Sequence, residues 1–363
     1  MFFAVIIKEA YHVVVKTLGP LVLSFLLVLI GTPFVRRFAI KHRIIDRPQE
    51  RKVHKKSMPR LGGLAICFGF WVAVVVTQPL TREIYGLLAG GLLICLVGIW
   101  DDLRGVSPRV KLLFQVLAAA IVIKMGVRVD FMTNPIGGEV SLYYLSYPVT
   151  ILWIIGVTNA VNLIDGLDGL AAGVSAIAGV TLGIVAILEG FSQVGMFALI
   201  LAAAAFGFLK HNFYPAKIFM GDTGSLFLGY NLSVIAILGL TKSTTVISLF
   251  LPVVILGIPI IDTSLAILRR FSSKKPIFSA DKEHLHHRLL AIGLTHRRSV
   301  LAIYGVSAFL GFSAVLMTRV TTAQGMLIMV FSTLSIFFAA DRVGVLRDVA
   351  LKQPASVDRT THL

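Results

Sequence analysis

The chain has 363 residues, of which 56% are hydrophobic and only 14% charged, with a mean hydropathy of +0.87. One soluble core cannot hide that much apolar surface, so a soluble globular enzyme is excluded and a bilayer is required. The 34 Lys and Arg against 18 Asp and Glu leave +16; these basic residues sit in short loops between apolar blocks and form no continuous face, which argues against nucleic acid and for anionic partners at a membrane surface.

Taken in chain order, the apolar blocks predict eleven membrane-spanning helices at about 13–35, 61–79, 84–100, 112–126, 148–164, 169–189, 194–211, 224–241, 245–268, 299–318 and 322–340. Each is close to the roughly twenty residues that a helix needs to cross about 30 Å of hydrocarbon. The expected fold is therefore an all-α polytopic membrane protein. Residues 1–340 are expected to form a single transmembrane domain and the polar stretch 341–363 a disordered cytoplasmic tail. The first apolar block is long and has no small-residue cleavage site before a polar region, so no cleavable signal peptide is expected.

Loop charge sets the orientation. With the N-terminus outside, 27 of the 34 basic residues fall in inside segments, mainly Arg36–Arg60 and Arg269–Arg298; this is the asymmetry that positive-inside insertion produces. Cys67 and Cys95 lie in adjacent apolar blocks at similar depth and are expected to be buried, reduced neighbours. The external segment Val127–Tyr147, with Asn134-Pro135-Ile136-Gly137-Gly138 between β-prone stretches, is expected to form a small hairpin.

Acidic residues are the informative minority, because a carboxylate beside hydrocarbon is costly unless it has a partner or a task. Asp101 and Asp102 close the third block, Asp165 and Asp168 close the fifth, and Asp222 opens the eighth, all on the side expected to be cytoplasmic. Together with Asn162 they form an oxygen-only set suited to Mg²⁺, or Mn²⁺, bridging phosphate oxygens. Arg109, Lys111, Lys210 and Lys217 are the nearby cations. The run His284-Leu285-His286-His287-Arg288 places three histidines in four residues, a density that loop charge does not explain; zinc is disfavoured because no cysteine is near. No Gly-Lys dipeptide occurs, which excludes a Walker A phosphate cradle.

These strings, in this order, resemble the polyprenyl-phosphate N-acetylhexosamine-1-phosphate transferases. The resemblance is carried by Arg60-Leu61-Gly62-Gly63, the Asp101-Asp102 pair, the stretch Asn159–Gly169, Phe219–Ser225 and the histidine run, over roughly residues 35 to 300. It implies that N-acetylhexosamine 1-phosphate passes from UDP-N-acetylhexosamine to undecaprenyl phosphate with Mg²⁺, releasing UMP, in a bacterial cytoplasmic membrane; self-association is left open. It further implies that Asp222 and Asn162 hold the metal, that Asp101, Asp102, Lys111, His284, His286 and His287 are catalytic, and that Asn162, Asp165, Asp168, Phe219, Arg288 and Gly62 meet the substrates, with Asp168 and Phe219 at the uracil.

Base, nucleophile and positioner remain open as roles for the Asp101–Asp102 pair. The second pKa of a phosphate monoester is about 6, so the lipid phosphate is largely dianionic near neutrality, which favours its direct attack with the acid pair in a positioning role. Leu285 interrupts the histidines, as in the branch that uses UDP-GlcNAc, whereas the branch that uses UDP-N-acetylmuramoyl-pentapeptide has three in succession. The rival from another class is an ion-coupled transporter with Asp262, beside Pro259 in the ninth block, as its ion site.

Overall fold

A computed structural model describes residues 2–46, 57–133, 139–240, 250–272 and 284–342. The chain is an all-α polytopic membrane protein with two minor two-stranded ribbons. Six helices are long and apolar enough to cross a membrane, at 16–41, 82–104, 143–163, 170–188, 192–212 and 296–317, and shorter apolar helices occupy 63–77 and 323–339. Among the described residues each of the expected apolar blocks falls largely on helix; 241 and 245–249 lie outside them.

In order, the helices are α1 (Phe2–Lys41), α2 (Gly63–Thr77), α3 (Arg82–Arg104), α4 (Pro108–Lys124), α5 (Ser146–Leu163), α6 (Leu170–Leu188), α7 (Ser192–Asn212), α8 (Gly221–Leu240), α9 (Phe250–Ile255), α10 (Gly257–Ser272), α11 (Leu285–Ala291), α12 (His296–Met317) and α13 (Thr322–Arg342). Two features depart from the sequence expectation. The described part of the ninth block is two helices, α9 and α10, on either side of a turn at Leu256; Pro259 has no N–H to offer the carbonyl four residues back, so one rung of the ladder is missing, while Leu256 still donates to the carbonyl of Pro252 and Ile260 to that of Leu256. The short helix α11 carries the histidines and follows no apolar block.

Helix α8 is the central element, with Thr223 through Gly239 all buried among α2, α3, α5, α6 and α7. Its neighbours approach through small residues. Gly179 lies against Ala198 and Ala202, and Gly183 against Leu199 and Gly195, which lets α6 and α7 pack backbone to backbone as helices in lipid commonly do. The large apolar side chains left exposed, among them Phe312, Phe331 and Phe337, lie on outer surfaces of the bundle, where lipid would cover them.

Alternate helix ends gather on opposite sides. On one side Arg82 donates to the carbonyl of Lys124, joining the start of α3 to the end of α4. There the expected hairpin forms from β3 (Phe131–Thr133) and β4 (Glu139–Ser141), Phe131 pairing with Ser141; its turn lies outside the described residues. Cys67 and Cys95 are buried, reduced and in contact. The tail beyond Arg342 and most of the two basic loops, 47–56 and 273–283, also lie outside the described residues.

Candidate active site

The other side joins the end of α3 to the start of α8. Asp102 is a fully buried carboxylate that accepts from the backbone N–H of Asp222 at 3.0 Å, the N–H of Thr223 at 3.1 Å and the Thr223 hydroxyl at 2.7 Å. An acid of one helix thus satisfies the orphan donors at the N-terminus of another and meets the positive end of its dipole. Gly221 makes the junction possible. Its φ of 72° lies in the left-handed region, and a side chain there would run into the Asp102 carboxylate.

Asp101, one residue away, faces a different environment. Its Oδ1 accepts from the N–H of Val106 at 2.7 Å and lies 3.0 Å from the Lys111 ammonium, which reaches Asp222 Oδ2 at 2.5 Å. Arg60, at the entry to α2, pairs with Asp102 at 3.0 Å and lies 3.7 Å from Asp222. Asp101, Asp102 and Asp222 offer carboxylate oxygens all within 4.8 Å of one another. Three acids against two cations leave an excess of negative charge, held by oxygen donors only, as a hard divalent cation requires.

Asp165 feels that excess. Burial, and then the charge of Asp222, push its carboxyl up to about 7 from 3.8. The folded chain therefore holds a proton that the unfolded chain releases near 3.8. The associated stability is complete below that pH and is lost as pH rises through about 7. Without divalent cation, the melting temperature should fall between pH 5 and pH 8, and Asp165→Asn should flatten that fall; an unchanged slope in the variant would assign the pH dependence to another group.

The remaining expected residues gather around the same helix ends. Asn162, at the end of α5, donates to Ser225 Oγ at 2.8 Å, which places it one turn into α8. Asp168 accepts from the N–H of Ala216 at 2.9 Å, and Asn212 ties the N–H of Gly169 to the carbonyl of Ile218. The Asp165–Gly169 loop is thereby fastened to the α7–α8 connection, which carries Phe219. Gly62 approaches protein backbone: its N–H donates to the carbonyl of Phe219 at 3.0 Å, and a side chain there would overlap Phe208.

The histidines close the opposite wall. His286 is buried against Gly166, and its ring lies 4.3 Å from that of His287. Burial, and then the neighbouring His287, push His286 down to about 3. It is neutral at physiological pH and can donate or accept a hydrogen bond, while the cations of this region are Lys111, Arg60 and Arg288, the last partly buried on α11. Asp262 also belongs here, bonded to His284 and to the N–H of Leu285. The transporter reading predicts a charge at the bilayer midplane, whereas this acid is engaged with the histidine segment.

Sequence reasoning quoted Arg60 within a motif but assigned it no role, although a cation placed just before two glycines at a helix entry was an available signal. It missed the link from Asp262 to His284 because 22 residues separate them.

The glycosyl transferase family 4 model matches residues 84–240. A probable undecaprenyl-phosphate N-acetylglucosaminyl 1-phosphate transferase of Bacillus subtilis is 47% identical over 302 residues, covering 83% of this chain and 84% of that protein. The chain belongs to glycosyl transferase family 4. Other relatives of this family 4 enzyme include the decaprenyl-phosphate N-acetylglucosaminephosphotransferase of Mycolicibacterium smegmatis, 36% identical over 82% of this chain and 81% of that protein. More distant is the phospho-N-acetylmuramoyl-pentapeptide-transferase of Caldanaerobacter subterraneus, 32% identical over 76% of this chain and 90% of that protein. The family match spans α3 to α8 and so contains every acid of the cluster, but neither Arg60 nor the histidine segment.

Proposed function

We propose that the enzyme transfers GlcNAc 1-phosphate from UDP-GlcNAc to undecaprenyl phosphate, releasing UMP, at the cytoplasmic face of a bacterial inner membrane. The observation that carries the reading is the Asp101–Asp102–Asp222 oxygen cluster, with Lys111 and Arg60 laid into it at joined helix ends. The names of the two N-acetylglucosaminyl relatives support the transferred group and the polyprenyl phosphate acceptor.

In the reaction, a lipid phosphate oxygen bonds to the β-phosphorus of the donor, the bond from that phosphorus to the bridging oxygen breaks, and UMP leaves with the electron pair. Positioning and charge neutralisation carry such a transfer. Asp102 is unsuited to act as base or nucleophile, since both its oxygens already accept hydrogen bonds within the protein. That supports direct attack by the lipid phosphate. Lys111 and Arg60 lie where they can bind phosphate oxygens and offset the charge that builds on the departing UMP.

Asp222, with Asp101 and Asn162 beside it, would hold Mg²⁺, or Mn²⁺, through oxygen donors alone. Bound there, the ion would polarise the diphosphate. Asp168 and Phe219, on and against the α7–α8 connection, are assigned to the uracil. Leu285 between the histidines favours UDP-GlcNAc over the muramoyl-pentapeptide donor, and Arg288 supplies a planar fork for a compact head group.

The test offers purified enzyme single UDP-sugars with undecaprenyl phosphate and Mg²⁺. UMP should appear with UDP-GlcNAc; comparable release with the pentapeptide donor would overturn the choice of donor. We assign eleven crossings with the N-terminus outside on loop charge. Ser57, exposed just before β2 (Met58–Pro59), should, as Ser57→Cys, react with an impermeant thiol reagent only after cells are opened. Labelling of intact cells would invert the assignment.

A further inference from the structure

Asp262 sits three residues beyond Pro259 in α10, on the helix that begins after the turn at Leu256. Its buried Oδ2 lies 2.9 Å from His284 Nδ1, and its Oδ1 accepts from the N–H of Leu285 at 2.8 Å. His284 is itself buried and stands parallel to His286, ring centres 5.9 Å apart, while His286 rests on Gly166 of the acidic loop. One carboxylate therefore grips both the first histidine and the first residue of α11.

An ionised carboxylate only accepts hydrogen bonds, so the ring nitrogen facing it must carry the proton. A neutral His284 is then fixed with hydrogen on Nδ1 and a lone pair on Nε2, the arrangement by which carboxylates orient functional histidines. We infer that Asp262 is a positioning residue that sets the tautomer of His284 and pins the start of α11, and so determines what the histidine cluster presents to the substrate. The inference rests on the proposed reading of the histidines as part of the transferase site. The groups concerned are Asp262, His284, His286 and His287, with Asp165 in the loop that His286 touches.

Asp262→Asn isolates the effect. The N–H of Leu285 can only donate, so the amide oxygen must stay opposite it. The amide nitrogen then faces His284 and donates to Nδ1, which moves the ring proton to Nε2. Side-chain shape is kept and the tautomer inverts.

The experiment is solid-state NMR of enzyme carrying ¹⁵N-labelled histidine in lipid, with His284 assigned by the signals lost in His284→Gln, alongside turnover of Asp262→Asn. The expected results are a protonated Nδ1 and bare Nε2 in the wild type, the reverse in the variant, and a kcat lowered roughly ten- to hundred-fold with donor KM changed less than about threefold. A protonated Nε2 in the wild type, an unaltered tautomer in the variant, or an inverted tautomer with kcat within about twofold would each overturn the inference. The wild-type spectrum decides even if the variant does not fold. An enzyme that releases no UMP from any UDP-sugar would remove the reading of the site, while the spectrum would still report the tautomer.

Discussion

Asp222→Asn is expected to yield a folded, monodisperse protein whose turnover is lower by about three orders of magnitude, the scale at which a central electrostatic element of a transfer site is lost. Removing the Asp222 charge leaves no buried ion alone, because Lys111 keeps Asp101 at 3.0 Å and Arg60 keeps Asp102 at 3.0 Å. Folding should therefore survive. What goes is the acid common to both cation contacts and to the oxygen cluster, at the centre of the charge arrangement. UMP release and thermal unfolding measured on one preparation check the pair of statements. Turnover within tenfold of wild type would remove Asp222 from the site, and a collapsed protein would make it a structural acid.

Asp102→Ala should do the opposite, unfolding the enzyme before it can be assayed. The substitution takes the acceptor from two backbone N–H groups and a hydroxyl at the start of α8, and leaves Arg60 without its nearest acid. Each buried donor left unpaired costs roughly 1–3 kcal/mol, and three such donors amount to a large share of the stability of most domains. Asp101→Ala, by contrast, removes contacts to one backbone N–H and to Lys111 from a partly exposed side chain. It should extract and unfold like the wild type but turn over slowly. Chemical unfolding of both variants in the same detergent measures the difference, and equal stability would show that the two acids share one role.

Much of this architecture could be read in advance, and the physical reason is locality. Span length follows from bilayer thickness, so α3, α5, α6, α7 and α12 were foreseeable from apolar run length alone. Acids at the mouths of spans stand out because water-poor surroundings tolerate few of them, which identified Asp101, Asp102, Asp165, Asp168 and Asp222 as a group. Division of labour inside the group was not readable. Adjacent residues on a helix point about 100° apart, and which of Asp101 and Asp102 meets α8 depends on packing between helices more than a hundred residues apart in sequence. The acid that Arg60 pairs with was hidden for the same reason, and the role of Asp262 stayed open because its histidine partner lies 22 residues further along the chain. The turn at Leu256 left a sign in Pro259, but membrane helices tolerate proline where neighbouring groups satisfy the freed backbone, so the residue alone does not locate a division.

The contact of Gly63 with Gly224, and of Gly98 with the backbone of Thr223, has a mechanical meaning. Main chain meets main chain there with no compressible side chain between, so α2, α3 and α8 form a rigid jaw carrying the acids, Arg60 and the start of α8. The histidines ride on the other jaw, α10 and α11, which follows the rung missing at Pro259 and meets the acidic loop through the His286 ring. Any movement the site undergoes is therefore expected on the histidine side, while the acids keep their spacing. Backbone amide exchange should accordingly be slow at the head of α8 and faster across α9 to α11.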